Sequence, residues 1–203
     1  RLSHQAGAYR LLGDRKEAEN HRVLGEITKA TDPDVTTEIL AAIARSGSTI
    51  EGLDDLVLGF ASVDDSELSG TATEWLIQRD ATAVCFEAID EGEDAGKRRA
   101  ALLVLSKIPK ATVAEGLVLR LEQTGDHEFR REGLAALCDL YFAKGLPWKG
   151  TPLIDSFLRA SLTDRRVDPA WLLDEMLLSE IPIRDLEELA IAAKKQMPLQ
   201  AAT

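Results

Sequence analysis

A unit of about 30 residues recurs along this chain and constrains its fold more than any other feature. Each copy opens on an aspartate, a residue type that caps helix N-termini, and these are Asp32, Asp64, Asp94 and Asp126. Apolar residues follow at offsets of eight (Leu40, Ala72, Leu102, Leu134) and eleven (Ile43, Trp75, Leu105, Leu137). Such periodic columns are typical of stacked helical repeats, in which each copy buries its apolar face on its neighbours.

The fourth copy, residues 94–121, indicates that one unit is a helical hairpin. A first helix is predicted from Asp94 to the turn at Pro109, because proline lacks the N–H and disfavours helical geometry in the residue before it. A second helix is predicted to begin at Thr112 as N-cap, with Glu115 at the spacing of a capping box. Its predicted apolar side is Val113, Leu117, Leu119 and Leu121.

The repeat predicts an all-α fold: a right-handed α-solenoid of about five hairpins with a diverged C-terminal helical cap. The array is predicted over 1–145, and its diverged continuation over 146–203 begins with a proline-containing loop. Predicted helices outside the fourth copy are 2–13, 16–29, 35–45, 50–60, a pair within 64–90, 127–143, 153–161, 169–179 and 183–195. Since the chain opens inside an earlier copy, we expect it to be a piece of a larger polypeptide.

Two stretches resemble HEAT repeats: Asp-Pro-Asp-Val and Ile-Leu-Ala-Ala-Ile-Ala within 32–44, and Asp-His-Glu-Phe-Arg-Arg-Glu-Gly-Leu-Ala-Ala-Leu at 126–137. The similarity is to the short variety of bacterial and phycobilisome-lyase-like proteins, and it covers about residues 1–145. It implies that the second helix of each hairpin lines a concave surface. The third copy departs from the pattern, since Glu74 replaces a small or apolar residue and Gly70 is expected to interrupt the helix.

A weaker similarity lies in the C-terminal part, in Trp148-Lys-Gly-Thr and Leu172-Leu-Asp-Glu-Met. It is to the HEAT spacer of large bacterial proteins that join such an array to a dehydrogenase-like propeller and a c-type haem domain. The chain has no Cys-x-x-Cys-His motif, so this resemblance implies only the spacer of such a protein. A parent of that kind would place the chain in the periplasm or outside the cell; otherwise we favour the cytoplasm.

The charge of the chain argues against a nucleic-acid partner. Acidic residues outnumber basic ones by 35 to 24, giving a net charge of −11, whereas phosphate backbones attract clustered Lys and Arg. We expect a protein partner, including a cationic one, or neighbouring domains of the same polypeptide. No apolar run reaches membrane-spanning length, so no membrane insertion is predicted.

No catalytic constellation is recognisable, and we predict a protein that is not an enzyme and has no cofactor or metal. His127-Glu128 resembles one of the several His-Glu pairs by which HEAT-type deoxyhypusine hydroxylases bind iron, but a single pair cannot fill a metal's inner shell. Cys85 and Cys138 lie within apolar runs and are predicted to be buried, unreactive thiols. Trp75 and Trp171 are predicted core residues.

Two basic runs, Lys97-Arg98-Arg99 and Arg130-Arg131, stand at equivalent places in adjacent copies. In an acidic chain we expect them to form ion pairs, with Glu93, Glu128 and Glu132 as predicted partners, rather than to bind nucleic acid.

The predicted function is a non-catalytic protein-interaction or spacer module. The resemblance makes the second-helix acids candidates for the partner surface, and they are Glu26, Glu51, Asp54, Asp55, Glu87, Asp90, Glu115 and Glu122. Trp148, in a loop rich in proline and glycine, is a further candidate. The alternatives are the HEAT spacer of a multi-domain redox protein, a lyase-like HEAT protein that binds a tetrapyrrole, and a HEAT array that binds nucleic acid, for which the charge is wrong.

Overall fold

The computed structural model describes residues 33–46, 52–92, 94–141, 150–180 and 191 of the chain. Within these ranges the structure is helical and contains no strand. The helices are α1 (Pro33–Ser46), α2 (Leu53–Ala61), α3 (Ser66–Gln78), α4 (Thr82–Glu91), α5 (Ala95–Ser106), α6 (Ala111–Gln123), α7 (His127–Tyr141), α8 (Gly150–Ser161) and α9 (Pro169–Leu178). In the part of the chain covered here, no helix is both long enough and apolar enough to cross a membrane.

The chain divides into two compact units, Arg1–Val104 and Leu105–Thr203. In the first unit, α3 packs against α1 and α2, and α2 also contacts α4. In the second unit, α7 packs against α6, α8 and α9, and α6 also contacts α8. The predicted change of pattern at residue 146 falls in 142–149, outside the described residues, and stays a prediction. The same holds for the predicted helices 2–13 and 16–29, and for 183–195 apart from residue 191.

Two of the aspartates predicted to begin the repeats, Asp94 and Asp126, cap helices, whereas Asp32 lies outside the described residues. Asp94 accepts a hydrogen bond from a first-turn amide at 3.0 Å, and Asp126 accepts two at 2.9 and 3.1 Å. In the third copy the cap is Asp65, which accepts amides at 3.1 and 3.0 Å, so the prediction of Asp64 is wrong by one residue. The two adjacent aspartates are equivalent in sequence, and only the path of the chain selects between them.

The two apolar columns are buried wherever their side chains are described. Their buried members are Leu40, Ala72, Leu102 and Leu134 at the offset of eight, with Trp75, Leu105 and Leu137 at the offset of eleven. The side chain of Ile43 lies outside the described set. Glu74, which departs from the pattern in the third copy, is exposed. Gly70 lies inside α3 and does not interrupt it, so that prediction is wrong: a single glycine costs helix stability without breaking the hydrogen-bond ladder.

For α6, a predicted second helix, the buried face and the N-cap differ from the prediction more than they do for the first helices. On α6, Leu119 is 51% exposed, and the buried stripe runs through Val113, Ala114, Leu117, Val118 and Leu121. Residues that are two positions apart in a helix point about 200° apart around its axis. Leu117 and Leu119 therefore cannot lie on the same face. Thr112 does not cap α6, because the helix begins at Ala111 and its N-cap Lys110 makes no side-chain cap bond.

Helix α8 begins three residues before the predicted start at 153. Its first residues are Gly150, Thr151 and Pro152, which the sequence pattern predicts to be loop. A proline in the first turn of a helix breaks no intrahelical bond, since the first-turn amides have no partner in the helix. Pro152 is therefore compatible with the earlier start.

Candidate functional site

Two of the predicted partner-binding acids form ion pairs inside the first unit. Asp54 on α2 accepts from Arg79 Nε at 3.3 Å, and Asp55 accepts from Lys97 Nζ at 2.8 Å. Arg79 also lies over the ring of the buried Trp75, 4.7 Å from its centroid. Pairs that keep contact with solvent, as these do, contribute little stability, but they reduce the negative charge that these acids offer to a partner.

Other predicted acids lie on the exposed sides of their helices. Glu87 and Asp90 are exposed on α4, and Glu115 and Glu122 are exposed on α6. Their helices bury apolar residues on the opposite side. Glu26, Glu51 and Trp148 lie outside the described residues. A role for these acids in binding stays a prediction.

The second unit contains a cleft that sequence reasoning did not anticipate. Its cavity has a volume of about 240 Å³. The lining, here named the arginine cleft, consists of His127, Arg130, Arg131, Leu134, Arg166, Val167, Asp168 and Trp171. These residues come from the N-terminal part of α7, the segment between α8 and α9, and the start of α9. An acidic chain thus places three arginines around one cavity.

Arg130 is the most deeply placed of these arginines, with only 3% of its side chain exposed. Its Nη1 donates to Asp164 Oδ2 at 2.9 Å, and its Nη2 donates to the carbonyl of Leu121 at the end of α6. Its Nε is buried and has no hydrogen-bond partner among the described residues. Burial, and next the nearby charge of Arg166, lower the pKa of Arg130 from its ordinary value. This guanidinium therefore holds α7 to α6 and to the segment before α9.

Asp164 is shared between two arginines. Besides Arg130, it receives Arg166 Nη2 at 2.8 Å and Arg166 Nε at 3.1 Å. The side-chain hydrogen bond from Arg166 is the largest cause that lowers the pKa of Asp164 below its ordinary value. Partial burial opposes this effect, and the charge of Arg130 reinforces it. The carboxylate therefore stays ionised at neutral pH, in its paired form.

Arg131 has a different environment. Its guanidinium lies over the ring of Trp171, 4.8 Å from the centroid, and it pairs with no carboxylate among the described residues. The predicted pairing of this basic run with Glu128 and Glu132 is therefore wrong for both arginines. Trp171 is half-buried on the wall of the cleft rather than in the core, so that prediction is also wrong. Trp75, by contrast, is buried as predicted.

The remaining candidates for chemistry do not form a site. His127 is exposed, with Nδ1 3.4 Å from the carbonyl oxygen of Arg166, and the described residues contain no cluster of three His, Cys, Asp or Glu side chains suited to a metal. Cys85 and Cys138 are buried as predicted. Burial raises the pKa of each thiol to about 12, so both remain neutral in the physiological range.

The charge network predicts how stability depends on pH. Asp164→Asn should lower the free energy of unfolding by about 1–3 kcal/mol at pH 7, because it leaves buried Arg130 without its ionised partner. The folded-state pKa of Asp164 is lowered, so its contribution is complete above the unfolded value of about 3.9 and is lost as the pH falls through the folded value. The difference between the two proteins should thus shrink below about pH 4. Urea titrations from pH 7 to pH 3 measure it.

Asp155→Asn provides the control for this experiment. Asp155 pairs with Arg159 at 2.9 Å one turn away on the more exposed surface of α8, and its removal should cost about 0.5 kcal/mol or less. If Asp164→Asn costs no more than this control at pH 7, the buried network does not stabilise the fold.

The cleft escaped sequence analysis because its parts are distant along the chain. Arg130 and Asp164 are separated by 34 residues, and the HEAT-like stretch 126–137 that contains Arg130 does not reach Asp164. One feature of the sequence pointed toward a basic site. Two pairs of consecutive arginines, 130–131 and 165–166, lie within four residues of the predicted helix starts at 127 and 169.

Comparison with known proteins adds no relative from which a role could be transferred. No protein-family model, no curated protein and no solved structure matches this chain.

Proposed function

We propose that this chain is a non-catalytic protein-interaction module, built as a right-handed α-solenoid of about five HEAT-like hairpins with a diverged C-terminal cap. The observation that carries the proposal is the packing order in each unit. Several helices contact a neighbour along the chain and also the helix two places away: α3 meets α2 and α1 in the first unit, and α7 meets α6, α8 and α9 in the second. A stack of hairpins produces this order, because first helices pack on first helices and second on second.

The surface of the second helices supports a protein partner. Glu87 on α4 and Glu115 on α6 are exposed and make no ion pair with any described residue. Negative side chains that are not neutralised within the fold speed encounter with a cationic partner and lose that effect at high salt. In the proposed repeat, α4 and α6 are the second helices of successive hairpins, which would place one such acid on each.

Charge reversal tests this function. The variant Glu87→Lys with Glu115→Lys changes the second helices, and Glu74→Lys with Asp174→Lys makes the same charge change on exposed positions of the first helices α3 and α9. Proteins retained by each immobilised variant from an extract of the source cells are compared quantitatively. We expect at least one protein to bind the wild-type chain and the first-helix control, and to bind the second-helix variant about tenfold less.

Circular dichroism must show equal helix content for all three proteins. Equal retention by the second-helix variant and the wild-type chain would contradict the acidic surface as the binding face. Loss of binding in the first-helix control alone would place that face on the other side of the hairpins.

A further inference from the structure

We propose that the arginine cleft binds a carboxylate side chain flanked by apolar residues, presented by a peptide segment of a partner protein. The inference rests on the proposed function only in treating the chain as a protein-binding module. It concerns a surface of opposite charge in the second unit, and none of the predicted partner-binding acids belongs to its lining.

The charge of the cleft favours a single negative charge. Two of its three arginines, Arg130 and Arg166, already share Asp164, whereas Arg131 pairs with no carboxylate among the described residues. The other acid, Asp168, caps α9 through the amide of Ala170 at 2.9 Å and adds negative charge at the rim. Asp164 and Asp168 offset two of the three arginine charges, and Glu122 is close enough to act on the charge of Arg130. A single carboxylate therefore suits the cleft better than a phosphate dianion does.

A buried donor independently indicates that the network is incomplete. Arg130 Nε is buried without an acceptor, in a side chain that is only 3% exposed and that lines the cavity. Buried polar groups are nearly always hydrogen-bonded. Other described side chains also bury an atom without a partner, but among them only Arg130 lines this cavity, where its Nε–H can donate to a ligand or water oxygen. Guanidinium groups bind carboxylates with particular strength, since both groups are planar and charged.

The volume of the cavity and its apolar wall indicate what surrounds the carboxylate on the ligand. A volume of about 240 Å³ lies below the roughly 300–1,000 Å³ that is usual for small-molecule sites, so it suits a side chain better than a nucleotide or a tetrapyrrole. Leu134, Val167 and the ring of Trp171 supply the apolar wall. Arg131 lies over the ring of Trp171, and this contact orients its guanidinium without an ion pair to another side chain. We therefore expect a Glu or Asp with an apolar neighbour on the peptide.

The test follows nitrogen-bound protons of the isotope-labelled full chain by NMR. The probe is acetyl-Leu-Glu-Leu-amide, with acetyl-Leu-Gln-Leu-amide, acetate and inorganic phosphate as comparisons. We expect the Glu peptide to shift the indole Nε1–H signal of Trp171 and the Nε–H signals of Arg131 and Arg166 in a saturable manner. The Gln peptide should bind about tenfold more weakly, and acetate more weakly than the Glu peptide because it lacks the apolar flanks.

Variants locate the binding. Arg131→Gln should weaken the Glu peptide about fivefold or more, whereas Arg159→Gln, which removes an arginine outside the cleft in the same unit, should leave it unchanged. Arg131 is exposed, so its replacement leaves the buried Arg130 network intact. Raising the salt from about 0.05 to about 0.5 M should weaken binding several-fold. The variant Glu87→Lys with Glu115→Lys should bind the peptide as the wild-type chain does, which separates this inference from the proposed function.

Several outcomes would overturn the assignment. Equal binding of the Gln and Glu peptides would show that charge is not recognised. Tighter binding of phosphate than of the Glu peptide would make the cleft a phosphate site. Signals of Trp171 and Arg131 that shift with protein concentration alone would make a second copy of the chain the occupant. An unchanged affinity in Arg131→Gln, or peptide shifts confined to residues outside the cleft, would place binding elsewhere.

Discussion

Truncating Leu137 to Ala is expected to lower the free energy of unfolding by about 2–5 kcal/mol. Leu137 is fully buried in α7, the helix of the second unit that packs against α6, α8 and α9. The substitution removes three side-chain carbons from a site enclosed by several helices, and the cavity left behind adds to the lost transfer free energy. Urea titration followed by circular dichroism measures the loss.

The matched control is Leu119→Ala on α6. Leu119 is 51% exposed, so the same substitution should change the free energy of unfolding by about 0.5 kcal/mol or less. Leu105→Ala, at the equivalent place in the preceding copy and also fully buried, should resemble Leu137→Ala. A loss below about 1 kcal/mol at both Leu105 and Leu137 would mean that the repeat register is wrong.

Adding side-chain volume at Gly133 is expected to be nearly as damaging. A Cβ placed on Gly133 of α7 would lie 2.5 Å from Leu121 Cδ2 and 3.2 Å from Leu121 Cγ on α6. Leu121 is itself fully buried, so it cannot swing into solvent to make room. We expect Gly133→Ala to cost about 1–3 kcal/mol and Gly133→Val about 3 kcal/mol, although either change should raise intrinsic helix propensity. Thermal and urea unfolding measure both.

Gly70→Ala is the control that measures the gain in helix propensity without any steric contact. Gly70 is an exposed position of α3, and an added Cβ there meets nothing within 4 Å, so the substitution should stabilise by about 0.5–1 kcal/mol. In a Leu121→Ala background the cost of Gly133→Ala should fall by about 1 kcal/mol or more, because the opposing side chain is gone. If Gly133→Ala stabilises as Gly70→Ala does, α6 and α7 are not in the close contact described here.

The two helices also meet through a charged side chain. Arg130 donates to the carbonyl of Leu121, and Gly133, one turn further along α7, receives the side chain of the same leucine. Leu121 is thus held at both its backbone and its side chain. This contact also positions Arg130 at the arginine cleft, so that overpacking at Gly133 should disturb the cleft as well as the packing of α6 against α7.

By itself, the sequence determined the helical class of the described residues and the burial of the apolar columns in the helices that carry them. These features depend on local physics: an aspartate accepts amides of its own first turn, as Asp94 and Asp126 do, and leucines at helical spacing share one face wherever the helix packs. They could be read from short windows of sequence because each depends on neighbours within a turn or two.

Only the tertiary structure decided the finer choices and the cleft. Asp65 rather than Asp64 caps α3, and Val118 rather than Leu119 is buried on α6, because neighbouring helices select among residues that local pattern leaves equivalent. The arginine cleft depends on Arg130 meeting Asp164, 34 residues away, and on Arg131 meeting Trp171 on another helix. A charged side chain becomes buried only where distant partners offset the cost of removing it from water, and no local rule of sequence specifies those partners.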